Sequence, residues 1–210
     1  MATTTTEQIT PSPDKISGNP AKASIPEPAY TVPGLSTSEG ATVARLLQQR
    51  LNAYNDLHLT LKHVHWNVVG PHFISVHEMI DPQVELVRGY ADELAERIAT
   101  LGASPQGTPG ALVTQRDWDD YSIGRAGAIE HLAALDQVYI GVITSTRQVA
   151  KDVEEVDPVT NDILIGHLRE LEQFQWFVRA HLENAGGRLV SAGADSEAGA
   201  AEQTAATGHA

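Results

Sequence analysis

Five side chains in this sequence combine the types and the spacing of a metal site: His65, His77, Asp81, Asp92 and Glu96. His77 to Asp81 and Asp92 to Glu96 are four-residue steps, and eleven residues separate the two aspartates. On a helix, these four fall within about 100° of one face. At about 1.5 Å of rise per residue the aspartates stand about 16 Å apart, whereas ligands to one metal sit within about 2 to 2.3 Å of it. One chain therefore cannot close the site alone. Two such helices meeting antiparallel across a two-fold axis would set the His77–Asp81 end of one against the Asp92–Glu96 end of the other, creating two identical sites.

The sequence contains no cysteine, so any metal is held by imidazole nitrogen and carboxylate oxygen. Such a set suits Fe(II), and few protein ligands leave positions open for water, peroxide or dioxygen. Zinc or manganese fits the same ligands, because affinity order does not select iron. The competing reading is a solvated helix face with His77 capping the core. Val84, Val87, Leu94 and Ile98 offer a separate apolar stripe for burial, which frees the His and acid stripe for an interface. Desolvating carboxylates there is costly unless a cation is bound.

The elements that must position these residues are helical. Residues 1–35 are rich in Thr, Pro, Ser and Ala and read as a flexible tail. Ser36 and Glu39 have capping-box spacing, so a first helix is expected from near Thr37 to the stop at Gly70-Pro71. A second is expected over Phe73 to Leu101, with Pro82 inside it and Gly102 as its stop. Thr108-Pro109 looks like a cap and first turn, predicting a short helix over 110–114. Third and fourth helices are expected over roughly 123–155 and from Asp157-Pro158 to Gly186-Gly187. No strand is expected, and 189–210 reads as a second tail. The expectation is an all-α four-helix bundle over 36–188 with a short helix in one long crossover, the ferritin-like arrangement.

His65-Trp66-Asn67, then Phe73-Ile74-Ser75-Val76-His77-Glu78-Met79-Ile80-Asp81, then Asp92-Glu93-Leu94-Ala95-Glu96-Arg97 resemble the signature of the Dps family of starvation-protection proteins. The likeness runs from about Leu46 to Gly187 and takes in Phe174, Trp176 and Phe177. It implies an inter-subunit ferroxidase site in which His65, His77 and Asp81 of one chain meet Asp92 and Glu96 of its two-fold mate. It further implies a hollow dodecamer that oxidises Fe(II), preferentially with hydrogen peroxide and also with dioxygen, and stores ferric mineral. Asp92 and Glu96 would bind the first iron as hard anions, His65 and His77 would supply neutral nitrogen, and Asp81 would ligate or orient. Lys62 would pair with a site carboxylate. Trp66 matches the family tryptophan near the iron, with a packed aromatic as its alternative. Asp117, Asp119, Asp120, Glu130 and Asp136 are candidates for a cation-focusing pore, or else a solvated face. His58, His63, His72, His131, His167, His181 and His209 are read as structural or surface residues.

The net charge of −13 over 210 residues disfavours nucleic acid and anionic membrane at long range and concentrates cations. Many Dps proteins bind DNA through lysine-rich tails. Here residues 1–38 hold Lys15 and Lys22 against Glu7, Asp14 and Glu27, a net of −1. Residues 190–210 hold Asp195, Glu197 and Glu202 against no basic residue, a net of −3. The tails thus carry −4 and the remainder −9, so DNA binding is expected to be weak or absent. A nucleoid-associated DNA-binding protein is the alternative. With no signal-like or membrane-spanning run, a cytoplasmic address is expected.

Overall fold

The computed structural model describes residues 25–206. Helix α1 (Thr37–Asn67) starts where the Ser36 hydroxyl accepts the Glu39 N–H while the Glu39 carboxylate accepts the Ser36 N–H at 2.8 Å. Two orphan donors of the first turn are thereby satisfied, as the sequence pattern predicts. Helix α2 (Phe73–Thr100) continues through Pro82, which cannot donate to the Glu78 carbonyl. One residue further on, the Gln83 amide donates to the Met79 carbonyl at 3.2 Å and accepts the buried Tyr139 hydroxyl at 2.6 Å. Helix α3 (Pro109–Gln115) carries the expected Thr108 cap and first-turn proline. Helices α4 (Ala128–Val153) and α5 (Pro158–Leu182) complete the bundle.

α1 packs on α2 and α4 on α5. All four contribute fully shielded side chains to one core, including Leu57 and Leu61, Val87 and Leu94, Leu132 and Leu135, and Leu164 and Leu171. Each such burial stabilises by about 1.5–3 kcal/mol. A mostly buried ion pair joins the layers, with Arg97 Nη2 on α2 donating to both Asp157 carboxylate oxygens at the head of α5, at 2.7 and 2.9 Å.

The crossover from α2 to α4 is hydrogen-bonded to α1 along its length. Gln48 exchanges two 2.9 Å bonds with the backbone of Gln106. Asn52 donates to Gln115 at 3.0 Å, and Asp56 accepts from Arg116 at 3.0 Å and from Trp118 at 2.7 Å. His63 Nε2 then meets the Ile123 carbonyl at 2.8 Å, and β1 (Val68–Val69) pairs in parallel with β2 (Ala126–Gly127). These strands are absent from the sequence expectation, since two residues carry no period. They also correct the start of the third helix from Ile123 to Ala128, because within residues 123–127, which hold two glycines, Ile123 meets His63 of α1 and Ala126 and Gly127 pair with β1.

The described parts of the two expected tails, residues 25–35 and 189–206, make contacts with the bundle. Residues 1–24 and 207–210 lie outside the described part of the chain. Within it, Ile25 joins the core and Thr37 donates to Glu27 at 2.7 Å. The N-terminal segment also crosses Gly102, whose φ of +85° and contact with the Tyr30 carbonyl leave no room for a Cβ. At the other end, Gly187 turns the chain with φ +76°, and α6 (Glu197–Ala206) packs against α4 through Ala200, Ala201 and Thr204. No described helix is long and apolar enough to cross a membrane.

Candidate metal centre

The last turn of α1 and the first turns of α2 bring His65, His77 and Asp81 together. The two imidazoles stack, with centroids 3.5 Å apart and planes 23° from parallel. Each Nδ1 lies 2.9 Å from the other residue's backbone carbonyl, His65 to His77 and His77 to His65. In the neutral rings Nδ1 therefore carries the donated proton, which leaves Nε2 of both as the lone-pair nitrogen available to a metal. Lys62 Nζ donates to Asp81 Oδ1 at 2.8 Å, and His65 Nδ1 lies 3.2 Å from the same oxygen. The Lys62 hydrogen bond holds the Asp81 carboxyl below the usual aspartate range, with the charges of His65, Lys62 and His77 acting the same way against a small burial effect. His65 is buried and Asp81 is exposed, so the cluster opens outward.

Asp92 and Glu96 are exposed farther along α2, and the single chain does not bring them to the histidines. Among the described residues, no three His or carboxylate side chains of one chain converge on a metal position. Each chain thus carries two separate groups, His65, His77 and Asp81 at the α1–α2 junction and Asp92 and Glu96 exposed about three turns further along α2, while Val84, Val87, Leu94 and Ile98 face the core as their spacing predicts. A groove of about 330 Å³ borders Asp92 and is lined by Asn55, His58, Arg88 and Ala95. His58 Nδ1 is buried there without a hydrogen-bond partner. Sequence reasoning set His58 aside for want of a ligand at helical spacing; only the packing of α1 on α2 places it beside Asp92.

A family model described as a ferritin-like domain matches residues 44–186. A DNA protection during starvation protein of Mycolicibacterium smegmatis is 65% identical over 175 residues, which is 83% of this chain and 96% of that protein. The chain belongs to the Dps family. Dps of Mycobacterium smegmatis in its tetragonal form matches with a TM-score of 0.77 and 66% identity, over 79% of this chain and 100% of that one. DpsA14 from Streptomyces coelicolor matches with a TM-score of 0.77 and 65% identity, over 78% of this chain and 97% of that one.

On this Dps chain Trp66 is 70% exposed, so within one chain it is not the packed aromatic its alternative reading described. It lines an open groove of about 610 Å³ with Val69, Phe73 and Arg125, next to the site, since the Phe73 ring lies 4.9 Å from that of His77. Of the acidic residues considered for a pore, Asp136 is 2% exposed and bound by Arg179 at 2.7 Å and Gln175 at 2.8 Å, which removes it from a solvent-lined role in the chain. Asp120 pairs with Arg116. His63 packs edge-on to Tyr121, and His167 meets Glu93 at 2.8 Å beneath a stacked Tyr90. These histidines are structural. His209 lies outside the described residues.

Proposed function

We propose that this Dps chain is a mini-ferritin that oxidises Fe(II) at inter-subunit sites and stores the ferric product in a hollow dodecamer, protecting against oxidative damage in the cytoplasm. The observation that carries this reading is the pair of separated groups in one chain, His65, His77 and Asp81 at the α1–α2 junction and Asp92 and Glu96 exposed further along α2. His65, His77 and Asp81 of one subunit face Asp92 and Glu96 of its two-fold partner. The carboxylates bind the incoming cation as hard anions, and the two Nε2 lone pairs complete a mixed nitrogen and oxygen environment that keeps open positions. Hydrogen peroxide takes one electron from each of two Fe(II) ions. Its O–O bond breaks and the oxygens leave as water once protonated. Dioxygen serves as a slower oxidant. Zinc and manganese compete for the same ligands.

The curated relative is named for DNA protection during starvation. In this chain we assign that protection to removal of iron and peroxide rather than to DNA contact. The described and undescribed ends together carry more acidic than basic residues, with no polybasic arm to release counterions.

Anaerobic loading with Fe(II), followed by peroxide or air, tests the reading on size-fractionated protein. Wild type is expected to develop ferric absorbance rapidly in a large particle, and the Asp92→Ala, Glu96→Ala double variant to assemble but oxidise slowly. Equal rates in both would leave the fold intact and remove the proposed site.

A further inference from the structure

The stripe of α2 that carries the four ligands also carries two charged residues between them. Glu85 lies four residues after Asp81 and Arg88 four before Asp92, inside the same arc of about 100°. Both side chains are exposed, at 73% and 60%, and they meet each other along the helix with Arg88 Nη1 3.2 Å from Glu85 Oε1. No residue of another described element supplies either one with an ion pair.

The proposed site dictates a register between the two copies of α2. Setting His77 level with the partner's Glu96 and Asp81 level with the partner's Asp92 makes the two-fold axis cross α2 between Leu86 and Val87. That register sets Glu85 level with the partner's Arg88, and Arg88 level with the partner's Glu85. A slip of three residues in one sense would set Glu85 against the partner's Glu85. The opposite slip would set Arg88 against the partner's Arg88. Only the register that closes the metal sites gives opposite charges at both positions, which is how like-charge contacts exclude a wrong alignment.

We propose that Glu85 and Arg88 form a reciprocal charge cluster with a second copy of this chain, centred on the two-fold axis between the paired metal sites and fixing the register in which the half-sites close. The inference rests on the inter-subunit site proposed above. Charges placed this way act on alignment and partner choice more than on affinity, so the two residues position the ligands without touching the metal.

The test uses full-length Glu85→Arg and Arg88→Glu variants. Alone, the first rings the axis with four guanidinium groups and the second with four carboxylates. Both are expected to keep wild-type helicity by circular dichroism and to lose about tenfold or more of the assembled fraction in native mass spectrometry. Co-expressed, every arginine meets a glutamate of the other variant, and the particle is expected to return with the two chains paired. A role within one helix predicts no such return, because neither variant has an internal pair in either setting. Independently, Glu85→Cys and Arg88→Cys chains are co-assembled and treated with a short bis-maleimide. The chain has no other cysteine, and linkage is expected between unlike variants rather than like ones. Wild-type assembly of the single charge variants, no return on co-expression, or equal linkage of like and unlike chains would each overturn the proposal. Iron oxidation is measured separately on the linked particles: linkage without oxidation would keep this register and remove the ferroxidase reading.

Discussion

Lys62 Nζ and Asp81 Oδ1 are 2.8 Å apart, joining α1 to α2 at the oxygen that also lies 3.2 Å from His65. An ammonium group and an incoming divalent cation compete for that oxygen. Lys62→Met is therefore expected to keep the fold and to tighten Zn(II) binding by about two- to fivefold, the modest range of an exposed ion pair. Calorimetric titration at low and high salt checks this, and the difference should shrink at high salt. Weaker binding in the variant would make Lys62 a group that positions Asp81 rather than a competitor.

The reciprocal Nδ1 to carbonyl bonds of His65 and His77 separate holding the ring from using it. Asparagine places an amide donor near the Nδ1 position and nothing at Nε2. His77→Asn is expected to assemble normally while losing about tenfold or more in Zn(II) affinity, measured by titration of the assembled protein. Unchanged affinity would take His77 out of the ligand set.

Asp157 is 4% exposed and carries the Arg97 guanidinium and the Thr160 hydroxyl. Burial acts to raise its pKa, but the bonds from Thr160 and Arg97 outweigh it and hold the carboxyl below the ordinary value of 3.8. Its contribution to stability is thus present above that value and is lost as pH falls through the lowered one. Asp157→Ala strands a mostly buried guanidinium and is expected to cost about 3–5 kcal/mol in denaturant unfolding, with Arg97→Met, Asp157→Leu costing less.

Glu197, at the start of α6, accepts the Ser122 N–H at 3.1 Å. Burial pushes its carboxyl up to about 7, against the Ser122 bonds and with help from Asp56 and Asp119. A raised carboxyl favours the docked helix most below the ordinary value of 4.5, and the advantage is lost as pH rises through 7. Amide exchange across residues 197–206, corrected for intrinsic rates, should accelerate between pH 5.5 and about 8.5 in wild type and far less in Glu197→Gln. Equal pH dependence in both would exclude Glu197 as the source.

Features written in a few consecutive residues were legible in the sequence. The caps at Ser36 and Thr108 and the first-turn Pro158 marked three helix starts, and the steps between His77, Asp81, Asp92 and Glu96 placed those four side chains on one stripe of α2. Features that depend on where two segments meet were not. Lys62 is 19 residues from Asp81 and His58 is 34 from Asp92, so their neighbourhoods follow from α1 packing on α2. α6 escaped notice because it buries alanine and threonine, which leave no stripe of large apolar residues; its alanine content was the available signal.

The bonds that stitch the crossover to α1 also bear on how the chain folds. Joining α2 to α4 in one step would close a single long loop before any contact rewarded it. Contacts at Gln48, Asn52, Asp56, His63 and Val68 instead meet crossover residues in the same order, each a short way beyond the last. Because closure entropy depends on loop length, a preformed α1 can guide the crossover down as a succession of small closures. Each of these contacts spans 58 to 63 residues of sequence, so the first closure needs α1 already packed on α2, and each later one then closes only a few more residues of the layer that supports the histidines.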